Sequence, residues 1–187
     1  MWDGRFVDQD FLIREADGYL DLVQSLSDRF PVQQSTSDRI ADKVLECIEK
    51  LGPSYRSRPD ALLIEGNALR LKKQFAEAIV VLDQSCELEP NNLGVYIALA
   101  WCQKRNDQLD DAINTLKRAL VVDELEPTIA YNLSCYYSLK QDVSQAVDYI
   151  ALALALEPAF RNLIGDEPDF DPVRDNPTFL EAISVIC

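Results

Sequence analysis

The sequence predicts an all-α protein of the α-solenoid class, assembled from helix–turn–helix units. Three observations carry this expectation. Ala78, Ala112 and Ala146 recur every 34 residues, within the phrases FAEAIVVLDQS, LDDAINTLKRA and VSQAVDYIALA. Apolar residues in and before these phrases fall three and four apart, the spacing of one helix face. Glycine is scarce, 6 in 187 residues, and the 9 prolines cluster at segment ends, which favours long helices over a many-turned β architecture.

Each alanine begins a chain of matched positions. Leu82, Leu116 and Ile150 follow four residues later, and Ser85, Ala119 and Ala153 three after that. Small residues let two helices approach closely, and the apolar residue between them fills the contact. A first helix precedes each of these, in PDALLIEGNALRLKK, LGVYIALAWCQKRN and PTIAYNLSCYYSLK. There Leu62, Tyr96 and Ala130 share one place. Gly66, Ala100 and Ser134 share another, always small, and Leu69, Gln103 and Tyr137 share a third. Three units result, at residues 59–92, 93–126 and 127–160. One unit alone cannot bury its faces, so the units must stack.

The tripeptide LEP, ending at Pro90, Pro127 and Pro158, does not keep this period. Pro90 and Pro158 occupy closing turns, whereas Pro127 opens a first helix, as Pro59 does, where a missing N–H costs nothing. Glu124 stands in the second unit's closing-proline place, so that boundary is expected to depart most from the others.

A 34-residue helix pair with small residues at the eighth, twentieth and twenty-seventh places resembles the tetratricopeptide repeat (TPR) family. EGNA at Glu65–Ala68, EAI at Glu77–Ile79, LEPNN at Leu88–Asn92, AYNL at Ala130–Leu133 and LALEP at Leu154–Pro158 carry the likeness. The second unit departs at Glu124 and at Gln103, a place that is usually apolar. The resemblance covers about 100 residues and implies a TPR-type superhelix; the family hosts many functions.

Outside the units, residues 1–58 form an expected helical extension. One helix has an apolar face through Leu12, Tyr19, Leu22, Val23 and Leu26, weakened by Gly18. A loop at RFPVQQST follows. A second helix has Ser37 as N-cap, a face through Ile40, Val44, Cys47, Ile48 and Leu51, and Gly52 as its stop. Val44 lies 34 before Ala78, so this extension is read either as a degenerate fourth pair that caps the array, or as a dimerisation or groove-covering arm. Residues 161–187 read as a C-terminal cap. Asn176-Pro177 starts its helix, and Phe179, Leu180, Ile183 and Ile186 give it an apolar face. EPDFDPVRDNPTF is similar to a segment that follows many bacterial TPR arrays.

Composition removes several function classes. The net charge of −14 leaves no basic face for phosphate neutralisation, so nucleic-acid binding is not expected. No apolar run reaches the roughly 18–20 residues of a spanning helix, so no membrane insertion is expected. MWDGRFVDQD has no basic segment followed by an apolar run, so no signal peptide is expected. The cysteines, Cys47, Cys86, Cys102, Cys135 and Cys187, are odd in number and form no CxxC, and the chain has no histidine. Structural zinc and a disulfide framework are therefore not expected, and reduced thiols in the cytoplasm are. The acidic cluster Asp166, Glu167, Asp169, Asp171 and Asp175 lacks EF-hand spacing and reads as a solvated loop. Without histidine, and with no GxGxxG, GxxxxGK[ST] or HExxH, the chain is not expected to be an enzyme; no catalytic residue, cofactor or metal is assigned.

The resemblance implies a concave groove, lined by the first helices, that holds a peptide or helix of a partner protein. It maps groove places onto Leu63, Ile97 and Tyr131 (fifth), Asn67, Trp101 and Cys135 (ninth), and Arg70, Lys104 and Ser138 (twelfth), with Arg105 next to them and Thr128 at the start of the third unit. An apolar and aromatic floor with cations on one side suits a segment with apolar anchors and some acidic residues. The alternative assigns Trp101 and Tyr131 to helix packing. It assigns Arg70, Lys72, Lys73, Lys104, Arg105 and Lys140 to the helix dipole. Family members that clamp the C-terminal carboxylate of heat-shock chaperones carry lysine where Leu63 stands and a Lys/Arg pair where Thr128 and Asn132 stand. Only Asn67 matches, so that role is not expected. Two other readings remain: a self-associating scaffold, dimeric through residues 1–58 or an end face, and a chaperone similar to those of type III secretion translocators, on the stretch VVDELEP (Val121–Pro127).

Overall fold

A computed structural model describes residues 8–27 and 30–185 of the chain. The described residues are all-α, of the helix–turn–helix repeat class to which α-solenoids belong. They fall into two compact units, Met1–Cys102 and Gln103–Cys187. The first seven residues, Asp28, Arg29, Ile186 and Cys187 lie outside the described residues, and with them the first residue of the RFPVQQST loop and the last of the C-terminal apolar face.

The 34-residue period is kept to the residue. The first helices are α4 (Pro59–Leu71), α6 (Leu93–Arg105) and α8 (Pro127–Leu139), each 13 residues long. The second helices are α5 (Phe75–Leu88), α7 (Leu109–Val122) and α9 (Val143–Leu156), each of 14. Proline opens α4 and α8 within the first turn, as expected. The boundary at Glu124 does not depart from the other. Residues 89–92 and 123–126 are both four-residue connections with the same turn pattern. Asp123 takes the extended backbone that follows the helix, and the Glu126 carboxylate accepts from Thr128 N–H at 3.1 Å. A side-chain cap on the next helix thus serves where the family proline is missing.

Inside each pair the chain turns through a left-handed residue. Lys73, Asp107 and Gln141, again 34 apart, have φ of 60°, 59° and 60°. Gln74 N–H reaches back to Leu69 C=O, Gln108 to Gln103 and Asp142 to Tyr137, at 2.9–3.0 Å. This is the six-to-one bond of a Schellman stop, made here without glycine.

The small positions have distinct jobs. A Cβ on Gly66 would stand 2.5 Å from Leu82 Cγ, so the missing side chain is what lets α4 lie on α5. Ser85 Oγ donates to Pro59 C=O at 2.9 Å, and Ser134 Oγ to Ala146 C=O at 2.7 Å. Gln103, at its usually apolar place, accepts from the buried Thr115 hydroxyl at 2.8 Å, so a polar pair replaces an apolar contact.

In the first unit, α1 (Gln9–Ser27) and α2 (Gln34–Glu49) pack on α4. Gly52, just beyond α2, donates its N–H to Gln9 Oε1 at the start of α1 at 2.7 Å, so the two helices run antiparallel. Val44 is fully buried, as Ala78 is one period later. Two local expectations change. Helix α2 begins three residues before Ser37: the Gln33 carbonyl accepts from Thr36 and Ser37 N–H, and Gln34 Nε2 is held by Asp38 and by Leu71 C=O, both at 2.8 Å. On α1, Leu22 is 49% exposed, and the buried face runs through Leu12, Ala16 and Val23, whose four- and seven-residue steps follow the helix more closely. A short helix, α3 (Pro53–Arg56), follows Gly52.

The second unit ends in irregular structure, with a 3-10 turn at Pro158–Phe160, α10 (Arg161–Ile164), another 3-10 turn at Pro168–Phe170 and α11 (Pro177–Val185). Asn176 caps α11 as expected, accepting from Thr178 N–H at 2.9 Å. Helix α11 packs on α9 through the buried Phe179, while Leu180 is 47% exposed.

Candidate protein-binding faces of the first helices

The compact unit Met1–Cys102 carries five of the expected groove residues: Leu63, Asn67 and Arg70 on α4, and Ile97 and Trp101 on α6. All five are part-buried, neither locked in the core nor fully in water. The repeat brings the two helices' faces together. Arg70 lies over the Trp101 ring, its Cζ 5.3 Å from the ring centroid, and Phe75 meets the same ring edge-on at 5.6 Å. Among the described residues no carboxylate pairs with Arg70. Burial lowers the guanidinium's pKa from its ordinary value, although guanidinium stays protonated at neutral pH. Burial likewise pushes the neighbouring Cys102 thiol up to about 11, against the opposing pull of Arg70.

Beside Arg70 a cleft of about 210 Å³ lies between α1 and α4, lined by Asp17 and Asp21 on one wall and by Asn67 and Arg70 on the other. Burial raises the pKa of Asp17, followed by the charges of Asp21 and Asp60. These carboxylates were not singled out from the sequence. They reach the site because α1 packs on α4, a long-range contact that no local pattern reports.

The compact unit Gln103–Cys187 treats the corresponding places differently. Tyr131, Cys135 and Ser138 on α8 are buried. The cover is the chain's own C-terminal segment. The Tyr131 ring lies 4.9 Å from that of Phe160 and meets Phe170 edge-on at 5.7 Å, and Phe170 packs on Phe179 at 5.2 Å. Phe170 and Phe179 are completely buried and Val173 nearly so. Lys104, 17% exposed, is ion-paired with Asp169 and lies over the Tyr136 ring at 5.3 Å. Burial raises the pKa of both the Tyr131 hydroxyl and the Cys135 thiol.

Arg174 ties the covering loop together. It donates to the carbonyls of Ile164, Gly165 and Glu167 at 2.7–2.9 Å and to the Asp171 carboxylate at 2.8 Å. The acidic cluster is therefore partly structural: Asp169 serves Lys104, Asp171 serves Arg174, and Glu167 accepts from Asp169 N–H. Of the remaining groove candidates, Arg105 is exposed and Thr128 is part-buried in the first turn of α8. Its carbonyl accepts from Asn132 Nδ2 at 2.9 Å. The cations at the helix ends divide their roles: Lys72 pairs with Asp42 at 2.6 Å and Lys140 with Asp110.

The family model described as tetratricopeptide repeat matches residues 69–130. That segment carries tetratricopeptide repeat sequence. Solved TPR-type structures agree in fold. MamA is 16% identical, with a TM-score of 0.63 over 83% of this chain and 95% of its own. YrrB, described as a TPR protein with an unusual peptide-binding site, is 16% identical, with a TM-score of 0.55 over 96% of this chain and 92% of its own. TTC0263, a thermophilic TPR protein of Thermus thermophilus, is 15% identical, with a TM-score of 0.58 over 95% of this chain and all of its own. No curated protein matches by sequence. Among the described residues no helix is long and apolar enough to cross a membrane.

Proposed function

We propose that the chain is a non-enzymatic protein-interaction module that binds a segment of a partner protein on the first-helix face of residues 59–102. Arg70 carries this reading. A part-buried guanidinium, laid on an indole and unpaired with any described carboxylate, has given up hydration without an internal ionic partner. A partner's acidic group would supply that missing contact, and Leu63, Ile97 and Trp101 would supply the apolar area beside it. The TPR fold supports the interaction role, and YrrB shows one such fold with a peptide site. The buried thiols of Cys47, Cys102 and Cys135, none in a disulfide, support a reducing compartment such as the cytoplasm.

The reading is tested by affinity capture from source lysate with wild type beside Arg70→Glu and Trp101→Ala variants, each checked for native helicity. The expected result is a set of proteins held by wild type and lost from both variants. If the captured sets are the same for all three, the face is not the binding surface.

A further inference from the structure

The 34-residue period relates an occupied site to an open one. Lys104 holds the twelfth place of its repeat, and Tyr131 and Cys135 hold the fifth and ninth places of the next. Their ligand is Asp169-Phe170: the carboxylate on the Lys104 ammonium, the ring buried against Tyr131. Subtracting 34 from each number gives Arg70, Ile97 and Trp101, where Arg70 lies over the Trp101 ring and Ile97 stands one turn before Trp101 on α6. The chemistry is kept: a cation at one end and apolar or aromatic surface beside it. No described carboxylate of the chain fills the equivalent place. The chain thus displays its own answer to what such a face accepts.

We propose that the Arg70–Ile97–Trp101 face binds a carboxylate–aromatic dipeptide of a partner protein, of the kind that Asp169-Phe170 presents to Lys104 and Tyr131. The proposal rests on the reading of this face as the binding surface and specifies the chemistry of its ligand. The carboxylate pairs with Arg70, where a guanidinium offers a two-pronged donor that lysine lacks. The aromatic ring lies against Ile97 and Trp101. Asp17 and Asp21 line the far wall of the neighbouring cleft, so the acidic group approaches from the Trp101 side. Replacing these two aspartates with asparagine therefore tightens binding. The second unit's equivalent face is closed by Phe170 and Phe179, both fully buried, and takes no part.

The probe is the synthetic peptide GDEPDFDPVRD, the chain's own residues 165–175, titrated into full-length protein carrying Trp2→Phe, so that Trp101 is the one remaining tryptophan. A saturable change in Trp101 fluorescence is expected. Peptides with asparagine for the first aspartate of DFD, or alanine for its phenylalanine, bind roughly tenfold more weakly. Arg70→Gln in the protein weakens the parent peptide by a similar factor, Arg70→Lys restores part of the loss, and Lys104→Gln leaves it unchanged. Three results would overturn the proposal: no saturable signal, equal binding of the asparagine peptide, or dependence on Lys104 in place of Arg70. If partner capture still depends on Arg70 and Trp101 while no acid–aromatic peptide binds, the face stands and this ligand chemistry falls. If capture ignores both residues, the face itself falls.

Discussion

Replacing Gly66 with alanine tests how closely the first unit's helices are matched. Two effects oppose one another. Alanine in a helix interior is favoured over glycine by about 0.8–1 kcal/mol. Against this, the new Cβ would stand 2.5 Å from Leu82 Cγ, 2.6 Å from Cδ2 and 3.3 Å from Cδ1, where carbon contacts settle near ~3.5–4 Å. Leu82 is fully buried, and Cγ cannot be swung away by a terminal rotation. Overpacking of this kind costs roughly 1–3 kcal/mol, and two atoms this close place it toward the top of the range. The net expectation is a loss of about 1–2 kcal/mol, read as a lower urea midpoint at unchanged slope. A double-mutant cycle sharpens it. Leu82→Ala alone should cost about 2–5 kcal/mol. Added to that variant, Gly66→Ala should become neutral or stabilising, because the methyl enters the space leucine left. Additivity within about 0.5 kcal/mol, or a more stable single Gly66→Ala variant, would refute the claim that this contact sets the helix separation.

Other contacts give further expected outcomes. Lys73→Gly and Gln141→Gly should each raise stability by about 0.5–1 kcal/mol, since both residues sit at φ of 60° where a side chain is disfavoured; thermal melts of the single variants read this. Phe170→Ala should cost about 3–5 kcal/mol and change the near-ultraviolet circular dichroism of Tyr131, whose ring it meets. Ser134→Ala should cost about 1 kcal/mol in urea titration, because it leaves the buried Ala146 carbonyl without that donor. Alkaline pH should destabilise the fold. Cys102 has its pKa raised from 9.0 to about 11, so its contribution is fully present below pH 9 and is lost as pH rises from there through 11. The raised hydroxyl of Tyr131 and thiol of Cys135 act in the same direction, and a urea midpoint that stays flat across that interval would contradict it.

The period was legible because it is written in residues that cannot be exchanged freely. Gly66 and Leu82, or Ser134 and the chain behind it, leave little room for drift. The turns were harder to read. Lys73, Asp107 and Gln141 adopt a left-handed backbone that composition assigns to glycine, and the bonds from Gln74, Gln108 and Asp142 to the preceding helix hold them there. The ends were harder still. Leu22 fits a helical face on paper, but its outward direction depends on where α2 and α4 lie against α1. The split within the expected groove residues has the same origin. Tyr131 and Trp101 both read as aromatic groove residues, and only the return of residues 158–179 over α8 separates a covered position from a part-open one. EPDFDPVR was visible as a cap by likeness alone; that its Asp169 would find Lys104 depends on a contact spanning 65 residues.

The closed face of the last repeat also bears on how such a chain could grow. A 34-residue unit added after residue 160 would have to displace Phe170 and Phe179 from their burial. A unit duplicated earlier in the chain would leave that seal intact and bring new surface with it. Lengthening within the array therefore disturbs the fold less than insertion after residue 160, where the buried rings of Phe170 and Phe179 would have to be released.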